Sequence, residues 1–292
     1  MPAWGRSTRV CSGKPGLDGC TGRAAQPLTG AAESAPWWRA LAKEAPPDAF
    51  GNSAREYELG RPQWPEELID RVVADLDLGA DSTVLDLGAG TGKLTRSLVP
   101  RFARVIAVEP DDAMRAVLDE VVPGAEALAG PAEAIPLPND SVDAVFTAEA
   151  FHWYASEESV GEIVRVLRPR GGLAIFWNVD FGDPEPPMGD EVERVLDDAF
   201  AKGGAPGIGK VLSGFWREPI AKAPLEPLRE AEVERTVTRT RDQWLANMLS
   251  VSSIASLPDA DREALAERLR ELVPDVEYRW STRTIAYWAR LV

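Results

Sequence analysis

Residues 83–95, Thr-Val-Leu-Asp-Leu-Gly-Ala-Gly-Thr-Gly-Lys-Leu-Thr, constrain the fold more than any other stretch of the 292-residue chain. Val84, Leu85 and Leu87 read as a buried strand. Glycines follow at 88, 90 and 92, and a helix is expected over 92–99. An apolar run closed by glycine marks a parallel strand covered on both faces. Alternating glycines let the backbone pass very close to a bulky neighbour. The helix start beyond them offers unpaired N–H groups and a positive dipole end. In many α/β proteins such a loop binds an adenosine-containing cofactor.

The flanking sequence repeats the same alternation. A helix is expected over 66–77 behind Pro65, a residue suited to a helix start. Strands are expected at 104–108, 142–146 and 173–177, with helices at 111–120 and 157–168 between them. Strand–helix alternation predicts a doubly wound, mostly parallel sheet with right-handed crossovers. After Asn178 the pattern changes. Residues 180–190 read as a loop, 191–202 as a helix, followed by a Gly-rich loop. Two alternating strands, 231–239 and 281–291, flank a helix at 259–272 and predict an antiparallel pair closing one edge.

Composition narrows the function. With 32 Lys+Arg against 47 Asp+Glu, the net charge is −15, which argues against a nucleic-acid backbone as partner. No apolar run is long enough for a membrane span. Cys11 and Cys20 are the two cysteines and His152 the single histidine, so no zinc site of protein ligands is expected. The cysteine usage suggests no disulfide framework and fits a reducing cytoplasm. Residues 1–48, rich in Gly, Ala, Pro, Ser and Thr, read as a loosely ordered extension, with Trp37 and Trp38 able to anchor a short helix. The domain is expected over 49–292: a cofactor-binding core at 80–178, then a substrate-side insertion and C-terminal hairpin at 179–292.

The loop chemistry discriminates between cofactors. A dinucleotide fingerprint spaces its glycines G-x-G-x-x-G. Here Gly88, Gly90 and Gly92 alternate, with Ala89 and Thr91 between them, and Asp86 stands in front. A carboxylate aimed into the loop repels a pyrophosphate and welcomes an ammonium group. Glu109, at the end of the next strand and before Pro110, is placed to accept two ribose hydroxyls. In Gly130-Pro-Ala-Glu-Ala-Ile-Pro-Leu-Pro, Ala132 and Glu133 are placed to read an adenine edge, with Ile135 on its face.

Together these stretches resemble the class I S-adenosylmethionine-dependent methyltransferases, of the methyltransferase type 11 domain. Val-Leu-Asp-Leu-Gly-Ala-Gly-Thr-Gly is similar to that family's first motif, Val-Ile-Ala-Val-Glu-Pro to its second, and Ala-Glu-Ala-Ile-Pro-Leu-Pro to its adenine-side motif. Pro131 departs from the polar residue of many relatives. The resemblance implies a Rossmann-like seven-stranded sheet, mostly parallel, with an antiparallel C-terminal strand. It implies S-adenosyl-L-methionine as cofactor, with Asp86 and the glycines facing the methionine part, Glu109 the ribose, and Ala132 and Glu133 the adenine.

Further stretches are similar to a subgroup that includes trans-aconitate-type small-molecule methyltransferases. These are Ala54-Arg-Glu-Tyr-Glu-Leu-Gly-Arg-Pro-Gln-Trp-Pro, Ala148-Glu-Ala-Phe-His-Trp-Tyr, Phe176-Trp-Asn, and Ser-Val-Ser-Ser-Ile-Ala-Ser-Leu-Pro at 250–258. Tyr57 and Arg61 then close over the cofactor, Arg61 pairing its carboxylate, or else they cap a helix and pack a lid. Ala148 ends the strand beside the cofactor. His152 emerges at the carboxyl end of the sheet, as a general base for the acceptor or as a hydrogen-bonded structural histidine. Trp153, Trp177 and Trp216 line a substrate pocket or pack a core. The expected activity is methyl transfer to a small molecule. The rivals are a non-methylating protein of the same fold (pericyclase, decarboxylase or regulatory partner) and a nicotinamide oxidoreductase.

Overall fold

The computed structural model describes residues 53–203 and 211–292. The expectations for residues 1–48, including Trp37, Trp38 and both cysteines, lie outside the described residues, as does most of the Gly-rich loop. The seven strands are β1 (Thr83–Leu87), β2 (Arg104–Val108), β3 (Glu126–Leu128), β4 (Val142–Ala148), β5 (Leu167–Glu185), β6 (Arg229–Arg239) and β7 (Tyr278–Arg290). They form one sheet in the order β3-β2-β1-β4-β5-β7-β6. Strands β1 to β5 pair parallel, and β7 runs antiparallel to both β5 and β6. This is the Rossmann-like sheet expected from the sequence.

Alternating side chains of the central strands feed two cores. Leu85 and Leu87 pack on one face with Ile106, Ile163 and Trp177. Val84, Phe146, Phe176 and Trp288 pack on the other with Leu68 and Leu98. Both faces are covered, so the strands read as continuous apolar runs. The crossover helices are capped as their sequences suggest. Asp111 accepts from the N–H groups of Ala113 and Met114 at 2.9 Å, and Pro65 caps the helix Glu66–Asp75.

Two expectations need correction. The helix foreseen over 92–99 shrinks to Thr95–Leu98, because the glycines hold residues 88–94 in turns. The loop foreseen at 180–190 is shorter, because β5 continues to Glu185. Asp180 and Phe181 find rungs on Thr282 and Ser281 of β7, a pairing set by a strand a hundred residues away. Local composition carries no trace of such a partner. Among the described residues no helix is long and apolar enough to cross a membrane.

Candidate functional site

β1 delivers Asp86 to the carboxyl edge of the sheet, on rungs with Ala107 and Phe146. Its side chain is buried at 1% exposure. Oδ2 accepts a 2.6 Å hydrogen bond from Thr95 Oγ1, whereas Oδ1 is buried with no partner. Desolvation pushes this carboxyl up to about 7, against the opposing Thr95 bond and with a further push from Glu109. A buried carboxylate oxygen lacking a donor is a strong acceptor held open for one.

The glycine loop turns directly above it. Gly88, Gly90 and Gly92 have φ of 69°, 57° and 84°, in the left-handed region that glycine tolerates. Added Cβ atoms at Gly88 and Gly92 would lie 2.7 Å from Ala150 Cβ and 2.8 Å from Val122 Cγ2. At Gly90 a Cβ would meet only Tyr57 Cε1, at 4.0 Å, so Gly90 borders open space. Four of the loop N–H groups have partners. Gly88 and Ala89 donate to the Val108 carbonyl, Gly92 to that of Ala89, and Gly90 to Glu109 Oε2 at 2.8 Å. Ala89 is buried against Ala107 and Leu118.

Glu109 is buried at the end of β2. Its Oε1 accepts from Asp111 N–H at 2.9 Å, so the carboxylate splints the loop to the next helix start. Burial raises its pKa above the usual carboxylate range, against the two backbone donors. Pro110 beside it is exposed. Ala132 is buried and Glu133 half-buried. Ile135, expected on the adenine face, sits in the core with Leu128, and its N–H donates to Glu162. Ala148 lies half-buried at the tip of β4, on a rung with Phe176.

The helix Ala54–Gly60 covers the loop. Thr91 Oγ1 donates to Glu58 Oε2 at 2.8 Å. Arg96 Nη2 and Lys93 Nζ pair with Glu58 at 2.7 and 3.5 Å. Tyr57 faces Gly90, and burial pushes its phenol up to about 12. Arg61 reaches the end of a neighbouring helix. Its Nε and Nη2 donate to Ser250 Oγ and the Ser250 carbonyl, at 3.2 and 3.3 Å, beside the helix Arg241–Leu249. Its guanidinium stands 5.2 Å from the Tyr57 ring.

His152 lies on the opposite side of the sheet edge. Its Nδ1 accepts from the Trp177 indole N–H at 3.2 Å. An indole only donates, so Nδ1 carries no proton and neutral His152 holds its proton on Nε2. Trp177 and Trp216 are buried with ring centroids 4.7 Å apart and line a cavity of about 80 Å³ together with Arg217 and Tyr287; Trp153 is half-buried beside His152.

The sequence reading missed Thr95, Glu58 and Tyr154. Tyr154 Oη bonds the Leu87 carbonyl and Thr147, fixing the loop floor under Gly88. Glu149 was also missed. It has φ of 54° and accepts from Asn178 N–H at 2.7 Å, locking the ends of β4 and β5 together. A carboxylate directly after a strand was the available signal for Glu149. Thr95 and Glu58 gave none, because their partners are set by the tertiary fold.

Residues 85–175 match a family model described as a methyltransferase domain. An uncharacterized methyltransferase of Mycobacterium tuberculosis is 48% identical over 130 residues, covering 44% of this chain and 52% of that protein. An uncharacterized methyltransferase-like protein of Schizosaccharomyces pombe is 32% identical over 237 residues, covering 81% of this chain and 90% of that protein.

The chain belongs to the methyltransferase family.

A solved structure from Anaeromyxobacter dehalogenans, described as a type II methyltransferase, is 26% identical and covers 80% of this methyltransferase and 98% of that chain, with a TM-score of 0.55. Against the mycobacterial relatives, this methyltransferase matches about half of their length. The fission-yeast likeness extends over nearly the whole described fold. Within the matched model fall Asp86, the glycines, Glu109, Ala132, Glu133 and His152, whereas Tyr57 and Arg61 of the cover precede it.

Proposed function

We propose that this protein transfers the methyl group of S-adenosyl-L-methionine to a small-molecule acceptor. The observation that carries the reading is the buried, partnerless Oδ1 of Asp86, facing a glycine loop with open space at Gly90. An ammonium group at Asp86 would supply the missing donor. Glu109, Ala132 and Glu133 would hold the ribose and adenine, and Tyr57 would close over Gly90. Arg61 would cap Ser250 rather than pair the cofactor carboxylate. The N–H groups of Gly88, Ala89, Gly90 and Gly92 are bonded internally, which does not suit a pyrophosphate and counts against a nicotinamide enzyme. The net charge of −15 favours a small acceptor over a nucleic acid.

When bound, the cofactor supplies a methyl group already activated on sulfonium for in-line displacement. The chain's own contribution is alignment and exclusion of water. Glu58 holds the cover down through Thr91, Lys93 and Arg96. His152 acts as a positioning residue, since its unprotonated nitrogen is engaged by Trp177.

Calorimetric titration tests the cofactor assignment. S-adenosylhomocysteine is expected to bind with one-to-one stoichiometry and NADH to give no saturable heat. The reverse pattern would remove the proposal. Turnover is read as methyl transfer from isotopically labelled S-adenosyl-L-methionine into a pool of small metabolites. Cofactor binding with no transfer across that pool would favour a non-methylating role. His152→Asn retains an acceptor for the Trp177 N–H and is expected to keep kcat within about tenfold. A loss beyond about a hundredfold, the scale of general-base catalysis, would return that role to His152.

A further inference from the structure

The aromatic cavity at the carboxyl end of β5 has no part in the cofactor reading. Trp177 and Val179 of β5 and Ile285 and Tyr287 of β7 alternate onto one side of the sheet, that of Leu85 rather than that of Phe176. The facing wall comes from the segment between β5 and β6, through Val211, Leu212, Gly214, Trp216 and Arg217. A turn shapes this wall: Gly214, with φ of 74°, donates to the Val211 carbonyl at 3.1 Å, and Arg217 N–H donates to the Gly214 carbonyl at 3.0 Å. The cavity holds about 80 Å³ between two indoles exposed by only 1% and 2%. Packed interiors leave few voids larger than a water molecule.

The lining states what the cavity can take. The Trp177 N–H is spent on His152 Nδ1, and the Trp216 N–H on the Val211 carbonyl at 3.0 Å. Both indoles therefore offer rings and no donor. The Arg217 guanidinium lies 4.5 Å from the Trp216 ring centroid and 4.4 Å from that of Tyr287. Those faces already carry a cation, which repels a second one. Glu230 stands 3.8 Å from Arg217, and with the ring faces it disfavours an anion. An uncharged apolar group meets neither penalty. The wall continues outward as Leu212, which is 63% exposed.

The position suits a substrate. Ligands of open parallel sheets bind outside the carboxyl ends of the strands. Trp177 directly follows Phe176, the last rung that β5 shares with β4. The helix Phe151–Tyr154 links the cavity to the glycine loop. The Phe151 ring stands 6.4 Å from Trp216 and 5.5 Å from Tyr154, whose hydroxyl bonds the Leu87 carbonyl below Gly88.

We propose that this cavity binds the uncharged apolar end of the methyl acceptor, an aryl or branched alkyl group. The word acceptor rests on the methyl-transfer reading; the apolar site does not. An apolar cavity of about 150 Å³ takes a whole benzene ring. A cavity of about 80 Å³ takes a short branched chain or one edge of a single ring, the remainder lying against Leu212.

The test is a ligand-observed NMR titration of the full chain, with and without saturating S-adenosylhomocysteine. The probes are the neutral benzyl alcohol and isobutanol, the cation benzylammonium and the anion benzoate. At least one neutral probe is expected to bind about tenfold tighter than either ion, since entering the cavity strips a charge of water. Ile285→Phe, which fills the cavity from β7, is expected to weaken that probe by about tenfold or more, the scale of a few misplaced methylenes, with S-adenosylhomocysteine affinity within about twofold. For any acceptor found by the labelled-transfer assay, the same variant is expected to raise KM by about tenfold with kcat little changed. No saturable binding of a neutral probe, equal binding of the ions, or undiminished binding in Ile285→Phe overturns the proposal. Should that variant not fold, the wild-type series decides. Weakened probe binding with an unchanged KM would remove the acceptor assignment. Neutral-probe binding without S-adenosylhomocysteine binding would keep the apolar site and remove the methyl-transfer reading.

Discussion

Asp86→Asn is expected to weaken S-adenosylhomocysteine binding by about ten- to a hundredfold, the scale of one hydrogen bond to a charged group in a dry site. The substitution is nearly isosteric and keeps an acceptor for Thr95 Oγ1. What it removes is the negative charge on the partnerless side of the carboxyl. The pH dependence makes the test specific. In the free protein Asp86 is pushed up to about 7, mainly by burial, from an ordinary value of 3.8. Between those values the folded protein holds a proton that the unfolded chain has released. Folding stability therefore falls as pH rises through that window, and the loss is complete above about 7. Binding of an ammonium group runs the other way, since it needs the carboxylate ionised. Wild-type affinity should climb by up to about tenfold per pH unit from pH 5 and level off above pH 7. Asp86→Asn should flatten most of that climb, with the residue left by Glu109, which is also raised by burial. Calorimetry at pH 5, 6, 7 and 8 reads both effects. Equal affinities and equal slopes in the two proteins would detach Asp86 from the site.

Gly60→Ala is the second large effect. Gly60 ends the cover helix, and a Cβ there would stand 2.1 Å from Asn247 N and 2.5 Å from Asn247 Cα. Both are backbone atoms, so no side-chain rotation relieves the clash. The cover must lift from the helix Arg241–Leu249, and Arg61 then loses Ser250 while Tyr57 leaves Gly90. Overpacking of this kind costs at least about 1–3 kcal/mol. S-adenosylhomocysteine affinity is expected to fall tenfold or more, and trypsin to cut faster at Arg55. Gly79→Ala is the matched control, because nothing lies within 4 Å of its added Cβ. If Gly60→Ala behaves like this control in both assays, the cover is not seated through Gly60.

The cofactor side was legible because its signals are local. Asp86, the three glycines and Glu109 lie within 24 positions, and each is tied to a strand end by its own apolar run. Backbone geometry decides glycine placement, and three positive φ angles are what alternating glycines announce. The remainder depends on distant pairings. Thr95 gains meaning only when the turn brings it under Asp86, and Glu58 only when the cover meets Arg96. Residues 180–190 read as a loop because they are rich in Pro, Gly and Asp, and β7 overrides that preference up to Glu185 by supplying rungs. Arg61 was open to two uses in the sequence, and its bond to Ser250 depends on a residue 189 positions away.

The overhang of β5 past the tip of β4 has a consequence for how this enzyme can be altered. Rungs up to Phe176 belong to the parallel sheet that carries the glycine loop; those after it belong to a ribbon shared with β7 alone. Substitutions on the ribbon at Asn178, Asp180 or Thr282 leave the rungs of Asp86 untouched. One ribbon can therefore be randomised while the backbone pairing of the glycine-loop strand stays constant.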